Sequence, residues 1–181
     1  MCENETRVFS NVLEINNKKI KTQKEKQKRV VTEEKKWNLH EDQLRYDYQW
    51  ELVREIYENN ITHKEHCKLV LQQIHGKING YRSQDLEKKK FDESFFCDEE
   101  SIIESMIQCQ NVCYYCKGRM VVLYEYVREP RQWTLDRLDN KFGHNKGNVV
   151  IACLQCNLRR KTMHHDRYVF TKEIAIIKKT D

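Results

Sequence analysis

Cys113-Tyr-Tyr-Cys116, Trp133-Thr-Leu-Asp136-Arg-Leu-Asp139-Asn140, Gly143-His144 and Asn148-Val-Val-Ile-Ala-Cys153-Leu-Gln-Cys156-Asn157 follow one another between Cys109 and Lys161. The reading of this stretch decides the fold. Two Cys-x-x-Cys pairs bracket a short run of Asp, His and Asn. The x-x spacing lets both thiolates of a pair face one ion, and Gly118 permits the tight turn after the second. Four thiolates in two such pairs close a tetrahedral site with no open position. Cys113, Cys116, Cys153 and Cys156 are therefore assigned to a structural Zn²⁺. The pairs lie 36 residues apart (117 to 152), against roughly 15–20 in a simple zinc ribbon. The excess is what an inserted hairpin with a long loop requires.

Local patterning fills in that hairpin. Met120–Tyr126 is rich in β-formers and reads as a strand that Glu129-Pro130 breaks. Trp133–Leu138 and Asn148–Ala152 read as two further strands, joined by the polar loop Asp139–Gly147. A helix is expected from about Leu154 to Met163. Tyr168–Ile177 is again β-rich and predicts a closing strand pair. Asp136, near the end of one strand, and Asn157, opening the helix, are hard ligands suited to Mg²⁺ or Mn²⁺. A β-β-α arrangement can bring both to one cation at the helix N-terminus, where backbone amides also favour phosphate. Arg159, Arg160 and Lys161 follow on that helix as candidate contacts to a nucleic-acid backbone.

Upstream the chain reads as helical. Glu41–Glu58 places Leu44, Tyr48, Leu52, Val53, Ile56 and Tyr57 at helical spacing. Thr62 with Glu65 reads as a capping box opening a second helix, with Cys67, Val70, Leu71, Ile74 and Ile78 on one face and a stop near Gly80. His63 and His66 are read as exposed first-turn residues, since no third metal ligand stands nearby. Tyr81–Ser94 is a polar connection. Asp98–Glu100 opens a third helix, where acidic side chains suit the dipole, and Ile102, Ile103, Met106 and Ile107 supply its apolar face. Cys67 and Cys97 read as small core residues.

Charge divides the 181-residue chain unevenly. Residues 1–40 carry 10 basic and 6 acidic side chains, residues 41–110 carry 9 and 15, and residues 111–181 carry 14 and 7. A basic face on the cysteine-bearing segment suits a polyanion. The run from Lys18 to Arg29 suits a nucleic-acid arm, a localisation signal or a solvated tail. There is no apolar run of membrane-spanning length and no secretory h-region, so an intracellular protein of cytoplasm or nucleus, without a membrane partner, is expected. The expected architecture is α+β: a basic, flexible arm (1–40), a helical region (41–108) and a zinc-binding domain (109–181).

Residues 113–161 resemble the HNH family of ββα-metal endonucleases, in its four-cysteine zinc subgroup. The matching pieces are Cys113-x-x-Cys116, Leu135-Asp136-Arg137, Gly143-His144, Asn148-Val-Val and Cys153-x-x-Cys156-Asn157-x-x-Arg160-Lys161. The form Leu-Asp-Arg-Leu-Asp-Asn followed by Gly-His and Asn is similar to HNH-like proteins of large DNA viruses and phages, which implies a viral or virion-associated setting. The resemblance implies that Asp136 and Asn157 ligate the catalytic metal and that Asn148 orders the loop. It implies an endonuclease that hydrolyses phosphodiester bonds, with nucleic acid, DNA first, as partner. The helical region matches no family, and its apolar faces and uneven charge are compatible with a protein partner. One position departs: Arg137 stands where the family places the His that deprotonates water, and arginine stays protonated at neutral pH. Three outcomes are open. His144 substitutes as base, metal-bound water acts unaided, or the site no longer cuts and serves as a nucleic-acid-binding or structural zinc module.

Overall fold

The structure, a computed structural model, describes residue 37 and residues 39–180, with side chains to residue 175. Cys2 and the basic run Lys18–Arg29 lie outside the described residues. The chain is a mixed α+β protein built from five α-helices and a two-stranded sheet among those residues.

A short 3-10 turn, Glu41–Leu44, precedes α1 (Tyr46–Glu58), so the expected Glu41–Glu58 helix is interrupted at Arg45, which is extended. Helix α1 ends at Asn59 in the left-handed region (φ 53°), a conformation Asn tolerates better than most residues. Helix α2 spans Lys64–Glu87 and passes straight through Gly80. Its N-terminus is not closed by a Thr62 capping box. Glu55 of α1 accepts from Thr62 N (3.0 Å), His63 N (2.9 Å) and His63 Nδ1 (2.6 Å). Burial alone would raise the Glu55 carboxyl, but these hydrogen bonds and one from the Thr62 hydroxyl outweigh it and hold it well below the usual carboxylate range. Helix α3 (Glu99–Gln108) is capped by Asp98, whose side chain accepts from Ser101 N, the role that acidic opening predicts.

Strands β1 (Trp133–Arg137) and β2 (Val149–Cys153) pair antiparallel, with Trp133 opposite Cys153 and Arg137 opposite Val149. Met120–Tyr126 is not a strand. Val121 makes an isolated bridge to Gln132, and the next two amides donate to a side chain: Gln49 Oε1 accepts from Val122 N (2.7 Å) and Leu123 N (2.8 Å) while Gln49 Nε2 donates to Leu123 O (2.9 Å). A fully buried glutamine of α1 thus supplies what a neighbouring strand would have supplied. Helix α4 (Leu154–Arg160) follows β2, and α5 (His165–Thr180) replaces the strand pair expected over Tyr168–Ile177.

The hydrophobic core is continuous across the regions that the sequence divides. Leu52 and Val53 of α1, Val70 and Ile74 of α2 and Met106 of α3 share one buried cluster with Val122, Leu123, Trp133, Ile151 and three cysteines of the thiol pairs, Cys113, Cys153 and Cys156, while Cys116 is exposed. Cys67 and Cys97 belong to it. Lys77 of α2 reaches into the same core, its ammonium over the Trp133 ring (4.7 Å) and donating to Gln132 Oε1 (3.0 Å) and Trp133 O. Burial pushes its pKa down to about 7. The unfolded chain, at the ordinary value near ~10.4, holds that proton across the window where the folded chain has released it. Stability should therefore rise with pH from about 7 to about 10, by up to ~1.4 kcal/mol per unit. Urea unfolding of wild type and Lys77→Met across that window checks this, the variant being expected to show a flatter profile.

Candidate metal centre and the adjoining polar site

The metal centre is built from two tight turns. In the first, Lys117 N donates to Cys113 O (3.0 Å) and Cys113 N to Gly118 O (2.9 Å). The turn needs Lys117 at φ 56°. In the second, β2 runs into α4 at Cys153, whose amide donates to Cys113 Sγ (3.2 Å). The four sulfurs of Cys113, Cys116, Cys153 and Cys156 all lie within 4.8 Å of one another. Such a set can hold a metal ion such as zinc. Without a cation the sulfurs cannot all ionise. Hydrogen bonds from Cys153 and Cys156 hold the Cys113 thiol low, while hydrogen bonding to Cys113 pushes Cys153 up and Cys156 to about 11. A divalent cation removes that competition, because a coordinating thiol is deprotonated outright. Among the described residues this is the one group of His, Cys, Asp and Glu side chains with metal-binding spacing.

Strand β1 carries its two charged residues on opposite faces, as strand alternation requires. On the α4 face, Asp136 is buried, 5% exposed. Its Oδ1 accepts from Arg160 Nη1 (2.7 Å) and its Oδ2 from the Tyr115 hydroxyl (2.8 Å). Burial raises its carboxyl above the ordinary value against the opposing pull of Tyr115 and Arg160. Tyr115 stands inside the first thiol pair and also meets His165 Nδ1 (3.2 Å). Asn157 lies on the same face but is turned to the strand, donating to Thr134 Oγ1 (3.1 Å) and Leu135 O (3.2 Å).

On the α2 face, Arg137 lies 3.7 Å from Asp85 and donates to Phe142 O (3.4 Å). Asp85, fully buried near the end of α2, also accepts from His144 N (2.6 Å) and faces His144 Nδ1 (2.9 Å). The His144 ring lies over Tyr81, centroids 4.4 Å apart. Burial lowers the His144 pKa, with Asp85 working to raise it. Asn148 ties the loop together: its Oδ1 accepts from Asp139 N and its Nδ2 donates to Asp139 O and Gly143 O, each at 3.0 Å. The loop is also pinned from outside, by Lys146 N to Phe95 O (2.7 Å) and Cys97 N to His144 O (3.0 Å).

The sequence-derived candidates thus separate into three groups. The thiols come together. Asp136 and Asn157 share a face, but each is engaged with protein partners. His144 and Arg137 sit across the strand from them. Of the three basic residues on α4 and its end, Arg159 and Lys161 are exposed, whereas Arg160 is 2% exposed and spent on Asp136 and Leu138 O (3.0 Å). Residue-by-residue reading misses Asp85, Tyr81, Tyr115 and His165. The first two fall beyond the helix stop expected near Gly80, in what reads as a polar connection. Tyr115 carried a signal, as an aromatic between two metal-binding thiols. Compared with protein-family models, curated proteins and solved structures, the chain matches none. Among the described residues no helix is long and apolar enough to cross a membrane.

Proposed function

We propose that this chain is a zinc-stabilised, HNH-like ββα module that binds nucleic acid, duplex DNA first, and whose counterpart of the hydrolytic site has become a buried ion-pair network. The observation that carries this reading is the Asp136–Arg160–Tyr115 cluster. Both carboxylate oxygens of Asp136 are taken, one by a guanidinium at 2.7 Å and one by a hydroxyl at 2.8 Å, and neither partner is a hydrated cation. The residue that would replace the missing base, His144, faces the other side of the strand and is held by Asp85. Arginine at position 137 cannot take a proton. Zinc is the metal we assign to Cys113, Cys116, Cys153 and Cys156, because four thiolates in a closed set are its structural ligand field. The net positive charge of residues 111–181 supplies the polyanion preference.

Supercoiled plasmid incubated with zinc-loaded protein and Mg²⁺ or Mn²⁺ should stay intact, while a DNA duplex should be retarded in gels at low salt and released as salt rises. Divalent-dependent nicking that disappears in a folded Asp136→Asn variant would overturn the non-cutting assignment and restore the endonuclease. No retardation at low salt would leave the chain an interaction subunit of a larger assembly. The endonuclease reading keeps one specific support: an imidazole oriented by a buried carboxylate is how many general bases are held. In that version His144→Ala would abolish nicking and Asp136 and Asn157 would hold Mg²⁺ or Mn²⁺.

A further inference from the structure

Beyond the C-terminal end of β1, the loop Leu138–Lys141 and the segment after α4 enclose a groove of about 460 Å³. That is within the roughly 300–1,000 Å³ of ligand-binding clefts. Its polar lining is Lys90, Asn140, Lys141, Thr162 and His164, over an apolar floor of Leu138 and Met163. One carboxylate, Asp139, lines it too, and its Oδ1 already accepts from Lys141 N (2.8 Å). Arg160 forms the inner wall; its charge is offset by Asp136, and its buried Nε has no hydrogen-bond partner among the described residues. The residues flanking the lining in sequence, Lys88, Lys89, Arg159 and Lys161, are all exposed. Lys161 adopts φ 52°, ψ −114°, near the first central position of a type II′ turn, where glycine is the relaxed residue. Two lysines thus stand in the lining, and four exposed cations, the strained Lys161 among them, adjoin it in sequence.

We infer that this groove is a phosphate-binding site for the backbone of the bound nucleic-acid strand, with Lys141 and His164 as contacts at its rim and Lys90 as a fixed cation behind them. The inference rests on the nucleic-acid-binding reading and deepens it. Lys90 donates to Asn140 O, so it holds the loop as well as supplying charge, whereas Lys141 and His164 line the rim and are open to a phosphate, His164 with its Nδ1 3.5 Å from the solvent-exposed Asp166 carboxylate. Thr162 and the Asn140 amide add neutral donors of the kind that contact phosphate oxygens in nucleic-acid complexes.

Fluorescence anisotropy with a short labelled DNA duplex, over a salt series, tests it. Lys141→Ala should weaken binding several-fold and reduce the slope of log K against log salt by about 1. Lys141→Ala with His164→Ala should weaken it further, while Arg131→Ala, at the opposite end of β1, should leave both unchanged. Wild-type binding that neither groove variant alters, whatever Arg131→Ala does, overturns the groove and leaves the nucleic-acid reading standing. Absence of wild-type binding at the lowest salt overturns that reading itself and the groove with it. Inorganic phosphate, added at constant ionic strength, should compete no better than chloride. Strong Lys141-dependent displacement by phosphate alone would make the groove a free-phosphate site instead.

Discussion

Stripping the metal from the four-thiol site is expected to unfold the described helices along with the turns around the metal. The reason is the continuity of the core: Tyr115, Val122, Leu123 and three of the four site cysteines, Cys113, Cys153 and Cys156, are buried in the same cluster as Leu52, Val70 and Met106. Structural zinc contributes roughly 10–16 kcal/mol in zinc-finger peptides, comparable with or larger than the ~5–15 kcal/mol net stability of ordinary domains. Chelation, or Cys153→Ser, should therefore remove most of the far-ultraviolet helix signal and move tryptophan emission to the red, because Trp133 is buried opposite Cys153. Restoring Zn²⁺ should recover both signals in wild type and neither in the variant. Retention of the full helix signal after complete metal removal would refute the dependence.

The second large effect is expected at Gly143. A Cβ at that position would stand 2.5 Å from Lys90 O and 2.7 Å from Asp85 Oδ2. Neither atom can step aside cheaply, since one is backbone and the other is held by His144 N at 2.6 Å. Gly143→Ala should therefore cost about 3 kcal/mol, a fall of roughly 6–12 °C in melting temperature. Gly80 gives the opposite sign. Nothing lies within 4 Å of its hypothetical Cβ and it sits inside α2, so Gly80→Ala should stabilise by about 0.5–1 kcal/mol. Thermal melts of the two variants side by side check both, and a neutral Gly143→Ala would mean that Asp85 and the loop are not pressed together as described.

These two sites also explain what was legible in the sequence. The thiol set could be read because each pair is local and the x-x spacing carries its own geometry. The hairpin could be read because β1 and β2 are short apolar runs flanked by polar loop residues. Met120–Tyr126 has the same apolar, β-branched character, and its strand propensity was overridden by a tertiary partner, Gln49, some 70 positions away. Tyr168–Ile177 departs from the expected strand pair for a related reason: its isoleucines favour strands intrinsically, yet the segment is helical in α5. Gly80 reads as a helix stop, yet glycine costs only about 1 kcal/mol in a helix, which packing of Val70, Ile74 and Tyr81 readily exceeds, and α2 continues to Glu87. Asp85 was invisible because its meaning lies in His144 and Gly143, 58 and more positions on. The Gly143-His144 pair announced that something approaches closely, but not what.

The opposite-face arrangement on β1 has a consequence for how the hairpin finds its alignment. A slip of one residue between paired strands turns every side chain of the slipped strand to the other face. Here such a slip would bring Asp136 round to Asp85 and Arg137 round to Arg160, setting acid against acid and guanidinium against guanidinium in sites shielded from water. The misaligned hairpin would bury unpaired like charges, a penalty of several kcal/mol. A five-residue strand is too short for its apolar pattern to discriminate strongly. The adjacent Asp-Arg pair therefore acts as a proofreading device, with charge rejecting the wrong register.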